Sequence, residues 1–428
     1  MYRLRRALTS VIAASALFAV AACSTSANTE NGTGSGTSLT FLTFETPALT
    51  AKFWDDSITD ALKSVPDTKI NKIVSPNSDR NAYAKQLQAS GQFPDILSSI
   101  NPKDFIEASL LTPFDKAWLE ENFLLPGANN IKGSTYIPPT NSQILPMVFY
   151  NKDVFAKNNI TVPKTWAEFM TVVGKLKAAG VTPIELAGAE PWSASMPLVG
   201  LMSAHVLGKR PTWVADRYAG TAKFTDADVV AAVSKQRDLI QAGAFGKGAL
   251  GVNYADANKQ FLEGKSGMYL MGSWFIGQIK PEQAASFGSF LLPTEDGSLV
   301  VPFNVGGTTA VSAKAADVAK ATEFAKAWSL SPNNLRTLIE TDGAFPMMKK
   351  LKLEDFGAKV TPVFTEAYTY VTSENTKVSS VGWVNNDDAM PPGVADLFYA
   401  LSQQLFTNGD VKAQLAALDA AWDKAAGK

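Results

Sequence analysis

The chain has 428 residues but only one cysteine and one histidine, Cys23 and His205. A lone cysteine cannot form a disulfide within the chain, and one cysteine with one histidine cannot build an ordinary zinc or redox site. Charged residues make up only 18% of the sequence and the formal net charge is −1, so there is no basic field to attract nucleic acid. After Cys23 no apolar stretch is long enough to span a bilayer. The hydrophobic fraction of 46% is typical of a globular protein with a packed core.

The N-terminus has the pattern of a targeting segment. Three arginines within the first six residues precede the apolar run 7–22, which is short for a membrane span. The run ends at Val20-Ala21-Ala22-Cys23, which resembles the lipobox of bacterial lipoproteins. That resemblance implies a signal peptide over 1–22, diacylation of Cys23 and anchoring at the extracellular face of the cell membrane, where two acyl chains hold stably. The alternative is an ordinary secretory signal with a chance cysteine.

Residues 23–38 predict a flexible tether, because they are rich in Asn, Gly, Ser and Thr and have little apolar surface to bury. The rest of the chain is long enough for two lobes of ordinary size. Strand and helix patterns then alternate, which predicts an α/β fold with a mainly parallel, covered sheet. The first predicted elements are a strand at 39–44, a helix at 54–62, a strand at 69–74, a helix at 79–90 and a strand beginning at 93–97.

Helical periodicity predicts that three of the nine tryptophans belong to the core. Thr165 has the pattern of a helix N-cap, with Glu168 placed to reach back in a capping box. Trp166 opens the apolar stripe of that helix, and Trp328 and Trp422 lie on stripes of the same kind. We therefore predict that these three indoles are buried.

The run from Met147 to Trp192 resembles the middle of the family-1 extracellular solute-binding proteins, the lipoproteins that feed carbohydrate ABC importers. The matching features are Tyr150-Asn151-Lys152, Phe155, Pro163-Lys164-Thr165-Trp166, Gly180-Val181-Thr182-Pro183 and Trp192. Later segments match as well, at Phe261–Met268, Met271–Trp274 and Pro302–Thr308. Features that align with the family run from about Leu39 to Trp422, nearly the whole mature chain.

The resemblance implies a two-lobed, periplasmic-binding-protein-like (Venus-flytrap) α/β fold with a hinge. Lobe 1 is expected at 39–149 plus 309–362, and lobe 2 at 150–308 plus 363–428. The implied function is capture of a sugar, expected to be an oligosaccharide, by closure of the lobes. The implied partners are the carbohydrate ligand and an ABC permease with its ATPase. The protein is expected to be a monomer without enzymatic activity, metal or cofactor.

A pyranose needs a flat aromatic surface under its apolar face and polar groups at its rim. Trp192, Trp274 and Trp383 lie in predicted loops after strands, where open α/β sheets bind ligands. The family resemblance places equivalent segments at the cleft. We predict that these three contact the ligand; the alternative for each is a tryptophan that closes the core of its lobe.

Polar candidates follow the same reasoning, and each has a structural alternative. Glu45 follows the first strand, and its alternative is a solvated loop carboxylate. Asp79 begins a helix, so its alternative is an N-cap. Asn304 and Gly307 lie in the segment expected to cross between lobes, where glycine provides either close approach to ligand or hinge freedom. A last cluster beside Trp383 is either a sugar rim contact or a solvated turn; its members are Asn385, Asp387 and Asp388.

Two other functions stay open at this point. A secreted glycoside hydrolase would need two carboxylates flanking one bond, for which Glu45 and Asp387 are conceivable. A binding protein for a peptide or another polar solute would have the same fold. The aromatic-rich loops favour sugar over peptide.

Overall fold

A computed structural model of the chain describes residues 36–76, 79–382 and 384–427. Cys23, the predicted signal peptide, nearly all of the predicted tether and Trp383 lie outside the described residues. The strands are β1 (Thr37–Thr43), β2 (Thr68–Val74), β3 (Ile96–Ser98), β4 (Leu111–Thr112), β5 (Asn130–Ile131), β6 (Ser134–Thr135), β7 (Asn141–Ile144), β8 (Met147–Asn151), β9 (Thr182–Glu185), β10 (Ser266–Met271), β11 (Phe287–Phe290), β12 (Val300–Gly306), β13 (Thr309–Ser312), β14 (Phe345–Pro346) and β15 (Thr376–Val378).

The helices connect and cover these strands. They are α1 (Ala51–Leu62), α2 (Arg80–Ala89), α3 (Lys103–Ile106), α4 (Lys116–Asn122), α5 (Lys152–Lys157), α6 (Trp166–Ala178), α7 (Pro191–Ala194), α8 (Met196–Met202), α9 (Trp213–Ala219), α10 (Ala227–Ala242), α11 (Tyr254–Leu262), α12 (Val318–Leu330), α13 (Pro332–Asp342), α14 (Pro362–Thr372), α15 (Val394–Thr407) and α16 (Val411–Ala425). A π-helix at Ser203–Leu207 and short 3₁₀ helices, among them Ser273–Gln278, complete the helical part.

Three sheets of four or five strands organise the described part of the chain, and β5 and β6 form a separate two-stranded sheet. The first has the strand order β2-β1-β3-β13-β4, and the second has the order β11-β8-β10-β9. A third sheet of order β14-β7-β12-β15 lies on the chain path between them, since β7 leads to β8 and β12 leads to β13. Strands β7 and β12 pair antiparallel, with Phe303 opposite Ile144 and Gly306 opposite Asn141.

The sheets are mixed, so the prediction of a mainly parallel sheet is wrong. Strands β1, β2 and β3 are parallel, as expected where helices connect successive strands. Strand β13, however, runs antiparallel to β3 and β4, and β8 runs antiparallel to β10 and β11. These two strands arrive directly from the third sheet without a helical crossover, so nothing requires them to run parallel to their neighbours.

The core explains the tryptophan pattern. Trp166 is 7% exposed, and Trp328 and Trp422 are fully buried, so the prediction that all three belong to the core is confirmed. Trp328 stacks on Trp54 at 5.7 Å between ring centroids, against one face of the first sheet. Trp422 packs in a separate cluster formed by α8, α9, α10, α15 and α16. We call this the helical cluster.

The N-cap of α6 is as predicted, but its capping box differs. Thr165 Oγ1 accepts a hydrogen bond from the backbone N–H of Glu168 at 3.3 Å. The Glu168 carboxylate accepts from the backbone N–H of Lys164 at 2.7 Å, one residue further back than a capping box requires. The helix therefore begins as expected, with its entering chain held by a neighbouring amide.

Candidate functional site

Aromatic side chains meet at one edge of the second sheet. Strands β9 and β10 are parallel, so their carboxyl ends lie at the same edge. Trp192, on the short helix α7, follows β9, and Trp274, in the 3₁₀ helix Ser273–Gln278, follows β10. Their ring centroids are 6.3 Å apart at 54°, and Tyr254, which opens α11, lies 5.1 Å from Trp192. All three are partly exposed, so they offer apolar surface to a ligand.

Polar side chains follow the strands of the first sheet in the same way. Arg80, which opens α2, comes after β2, and its Nε donates to the backbone oxygen of Ser99, just beyond β3, at 3.0 Å. The guanidinium lies 3.9 Å from the ring centre of Phe44, which follows β1. Burial lowers the pKa of Arg80 to about 10, while the charges of Asp79 and Asp342 act to raise it. Arg80 thus stays cationic at neutral pH.

Asp342 interacts both with the polar side chains that follow the first sheet and with the aromatic side chains that follow the second. It is the last residue of α13, and its carboxylate accepts from Gln143 Nε2, on β7, at 3.2 Å. Burial raises the pKa of Asp342 to about 7, against the opposing effects of Gln143 and Arg80. The same helix end packs on the helix that carries Trp274: a Cβ on Gly277 would lie 1.9 Å from the backbone oxygen of Thr341.

The charge of Asp342 also reaches the aromatic group. The pKa of Tyr254 is raised mainly by burial and further by Asp342, while hydrogen bonds to Asn258 and Trp274 act in the opposite direction. We call the combined set the cleft group; its members are Arg80, Gln143, Trp192, Tyr254, Trp274 and Asp342. Each member is partly exposed, yet the ionisable ones have pKa values shifted by desolvation. Groups deep in a protein that still contact solvent are typical of a cleft.

Sequence reasoning found two of these six residues. It selected Trp192 and Trp274, together with Trp383, for their positions after strands, and the structure brings the first two together; contact with a ligand stays a prediction. It missed Arg80, although the neighbouring Asp79 was considered. It also missed Gln143, Tyr254 and Asp342, because nothing in their local sequence marks them as neighbours.

Several predicted polar residues have structural roles here. Asp79 caps α2, with Oδ1 accepting from the backbone N–H of Ala82 at 2.9 Å, which is the alternative considered for it. Asn304 Oδ1 accepts from the backbone N–H of Ser380 at 2.9 Å. A Cβ on Gly307 would lie 2.1 Å from the backbone oxygen of Pro138, so this glycine permits a close approach of two chain segments. Glu45 is exposed after β1, and its contact with a ligand remains a prediction.

The predicted cluster after residue 383 contacts residues that do not belong to the cleft group. Asp387 accepts from the backbone N–H of Lys132 at 2.9 Å, and burial raises the pKa of Asp388. Both line a cavity of about 480 Å³ together with Lys103 and Tyr218. Asn385 is partly exposed nearby in the chain. None of the cleft group lines this cavity. We place the candidate site at the cleft group, where aromatic and polar side chains converge.

Within residues 36–76, 79–382 and 384–427, no group of three or more His, Cys, Asp or Glu side chains is arranged to hold a metal ion. No helix of these residues is long and apolar enough to cross a membrane.

Comparisons with known proteins identify the family. The sequence profile of a bacterial extracellular solute-binding protein family matches residues 33–365. The multiple sugar-binding protein of Streptococcus mutans is 26% identical over 317 residues, which cover 70% of this chain and 73% of that protein.

Solved structures share the fold. A chitin oligosaccharide binding protein superposes with a TM-score of 0.79 at 21% identity, covering 92% of this chain and all of that one. The binding protein RafE, in complex with raffinose, superposes with a TM-score of 0.70 at 21% identity, covering 91% of this chain and 99% of that one. These likenesses show a two-lobed α/β fold. The chain belongs to the bacterial extracellular solute-binding protein family.

Proposed function

We propose that this protein captures a sugar, most readily an oligosaccharide, for an ABC importer. The observation that carries the proposal is the cleft group, in which the Trp192, Tyr254 and Trp274 rings cluster and Asp342 interacts with Tyr254, Gln143 and Arg80. Aromatic faces suit the apolar face of a pyranose, and amide, carboxylate and guanidinium groups suit its hydroxyl rim. The names of the relatives, which record multiple sugars, chitin oligosaccharide and raffinose, agree with this chemistry.

Capture proceeds by closure of two lobes around the third sheet. Strands β7 and β12 supply two neighbouring connections between the first and second sheets, and paired strands can bend together as a hinge. A sugar that contacts side chains from both sheets binds the closed form better and shifts the population toward it. Because all of β8 belongs to the second sheet, we propose that the first lobe boundary lies just before Met147 instead of at residue 149.

The location and partners are part of the same proposal. We infer that Cys23 is diacylated after removal of residues 1–22 and that residues 23–38 tether the domain to the outer face of the membrane. A monomer with closed lobes then docks on the permease, whose ATPase drives release of the sugar. No catalytic step is required of the protein.

The two other functions fit the site less well. A peptide would be bound through hydrogen bonds to its main chain, whereas the cleft group presents aromatic rings and planar polar groups. A hydrolase would need paired carboxylates across one bond, but Asp387 is already bound to the backbone N–H of Lys132, and Asp342 is paired with Gln143.

The test is thermal unfolding of the protein against mono- and oligosaccharides, with peptides as the contrasting set. A sugar at 100 times its dissociation constant stabilises the folded state by about 2.7 kcal/mol. We expect a shift with a set of related sugars, each recovered intact afterwards. A shift with peptides alone would replace the proposal with a peptide-binding function, and breakdown of the sugar would indicate an enzyme.

A further inference from the structure

A second group of polar contacts involves none of the cleft group. Lys103 is 7% exposed, and its Nζ donates to Tyr218 Oη at 2.5 Å and to the backbone oxygen of Ala389 at 2.9 Å. Tyr218 Oη also donates to the Ala389 oxygen at 2.7 Å. Nearby, the backbone N–H of Lys132 donates to the Asp387 carboxylate at 2.9 Å. We call these contacts the polar bridge; its members are Lys103, Lys132, Tyr218, Asp387 and Ala389.

The bridge joins two different cores. Lys103 opens α3, and Phe105 of the same helix packs against the first sheet with Leu97 of β3. Tyr218, on α9, packs against Trp422 in the helical cluster, with ring centroids 4.8 Å apart. Residues 387–389 lead into α15 of the same cluster. Through α8 the helical cluster rests on β10, so the bridge connects the first-sheet side with the second-sheet side.

The surroundings of the polar bridge form an interface whose two sides can separate. The cavity of about 480 Å³ lies beside it, and its walls come from both sides, from Lys103, Glu107 and Lys132 and from Ala215, Tyr218 and Ala425. Opening an apolar interface exposes apolar surface to water, which costs free energy. When a polar interface beside a cavity opens, its groups exchange their hydrogen bonds for hydrogen bonds to water. Opening it therefore costs much less free energy than opening an apolar interface.

We propose that the polar bridge is a latch that favours the closed lobes before any sugar binds. The proposal rests on the two lobes and the closure motion proposed above. The apparent affinity of a ligand falls when only a fraction of the protein is in the competent form. A latch that raises the closed fraction therefore strengthens sugar binding and slows release without contacting the sugar.

The test substitutes Tyr218 and Asp387 and leaves Lys103 in place. Loss of the Lys103 ammonium would remove bridge contacts but also the cost of burying its charge, and the two effects on closure have opposite sign. Tyr218→Phe removes the hydroxyl that bonds both Lys103 and Ala389. Asp387→Ala removes the carboxylate that accepts from Lys132. The double variant Y218F/D387A therefore weakens the bridge at two points.

The readout is the distance between the sheets in the full chain. Cys23→Ser removes the one native cysteine, so spin labels attach only at introduced sites. Lys69→Cys on β2 and Lys175→Cys on α6 place one label on each side at exposed positions. Double electron–electron resonance is recorded without sugar and with raffinose or a chitin oligosaccharide. The matched control, Y83F/D153A, makes the same chemical changes outside the bridge.

Without sugar, we expect the closed-to-open ratio of Y218F/D387A to fall on the order of tenfold, the size expected when hydrogen bonds to charged groups are lost. The single variant Y218F should show a smaller shift in the same direction, and Y83F/D153A should match the parent. Where a sugar binds, its Kd should rise by the same factor as the closed fraction falls.

Distances in sugar-free Y218F/D387A and Y218F that match the parent would overturn the latch. An equal shift in the Y83F/D153A control would also overturn it. A parent whose distances do not change with any sugar would contradict the proposed closure instead, and the sugar-free comparison of variants would still decide the latch.

Discussion

At the scale of single residues, tryptophan serves two purposes in this chain. Trp166 is 7% exposed and stacks on Phe169 with ring centroids 5.4 Å apart, so it fills the core. Trp274 is partly exposed and rests over Gly272, where a Cβ would lie 2.1 Å from its ring. The first indole is enclosed by other side chains, whereas the second has one face supported by backbone and the rest toward the cleft group.

Trp274→Ala is expected to weaken sugar binding and to leave the fold nearly intact. A central aromatic anchor typically contributes about 2 kcal/mol or more to binding, which is more than a tenfold change in Kd. Titration calorimetry with the best sugar from the thermal screen measures the affinity, and urea unfolding measures the stability. Unchanged affinity, or gross unfolding, would contradict this role.

Trp166→Ala is expected to have the opposite effect. Removing a buried indole leaves a cavity, which lowers the free energy of unfolding by about 3–5 kcal/mol. The urea midpoint should fall clearly while the folded fraction keeps its sugar affinity. A variant as stable as the parent would contradict the assignment of Trp166 to the core.

Asp342 makes stability depend on pH. Its pKa is raised to about 7 in the folded protein from an ordinary value of 3.8, so the folded state holds a proton that the unfolded state releases. The contribution of Asp342 to stability is therefore fully present below about pH 4 and is lost as pH rises toward and through 7. Asp342→Asn cannot titrate and should remove this decline.

The measurement is the urea midpoint of parent and D342N between pH 5 and pH 8. We expect the parent to lose stability relative to D342N across this range. Parallel curves for the two proteins would show that the carboxyl group of Asp342 is not protonated in the folded state.

At the scale of elements, a connection between two sheets depends on close backbone packing. Gly307 lies between β12 and β13, and a Cβ there would approach the Pro138 oxygen to 2.1 Å and Ile137 Cγ2 to 2.6 Å. The crowding comes largely from backbone, which cannot move aside as a flexible side chain can. The glycine therefore fixes how the crossing segment passes the chain before β7.

Gly307→Ala is expected to lower the melting temperature clearly, because either the crossing segment or the 137–138 segment must shift. Gly174→Ala is the matched control: Gly174 lies inside α6, and a Cβ added there would have nothing within 4 Å. Alanine there should stabilise the protein by about 0.5–1 kcal/mol. If both alanine variants were stabilised, or both were destabilised, the packing argument would be contradicted.

At the scale of the whole molecule, we expect function to depend on movement of the first sheet relative to the second. The first and second sheets are joined through β7 and β12, and the polar bridge contacts both sides at another point. We expect Arg80 and Trp274, which belong to different sheets, to contact the same sugar when the lobes are closed.

Small-angle scattering tests this motion directly. We expect the radius of gyration to fall when a stabilising sugar is added to saturation, because closure makes the molecule more compact. A radius that stays constant with a sugar known to bind would mean that the site is already closed or that the lobes do not move.

Much of the local structure was predictable from short stretches of sequence. The spacing of apolar residues predicted the buried faces of α6, α12 and α16, which carry Trp166, Trp328 and Trp422. The Thr165 N-cap and the first strands and helices appeared within a few residues of their observed bounds. Strand direction was not predictable, because β8 and β13 take theirs from the route of the chain between sheets.

The sequence by itself determined the fold class, the buried tryptophans and the family, because these depend on patterns between near neighbours in the chain. Only the tertiary structure placed Arg80, Gln143 and Tyr254 around Asp342, and Lys103 against Tyr218 and Ala389. These partners are separated by tens to hundreds of residues, and no local pattern relates them. Sheet order and chain crossings bring them together, so the cleft group and the polar bridge exist only once the two sheets are assembled.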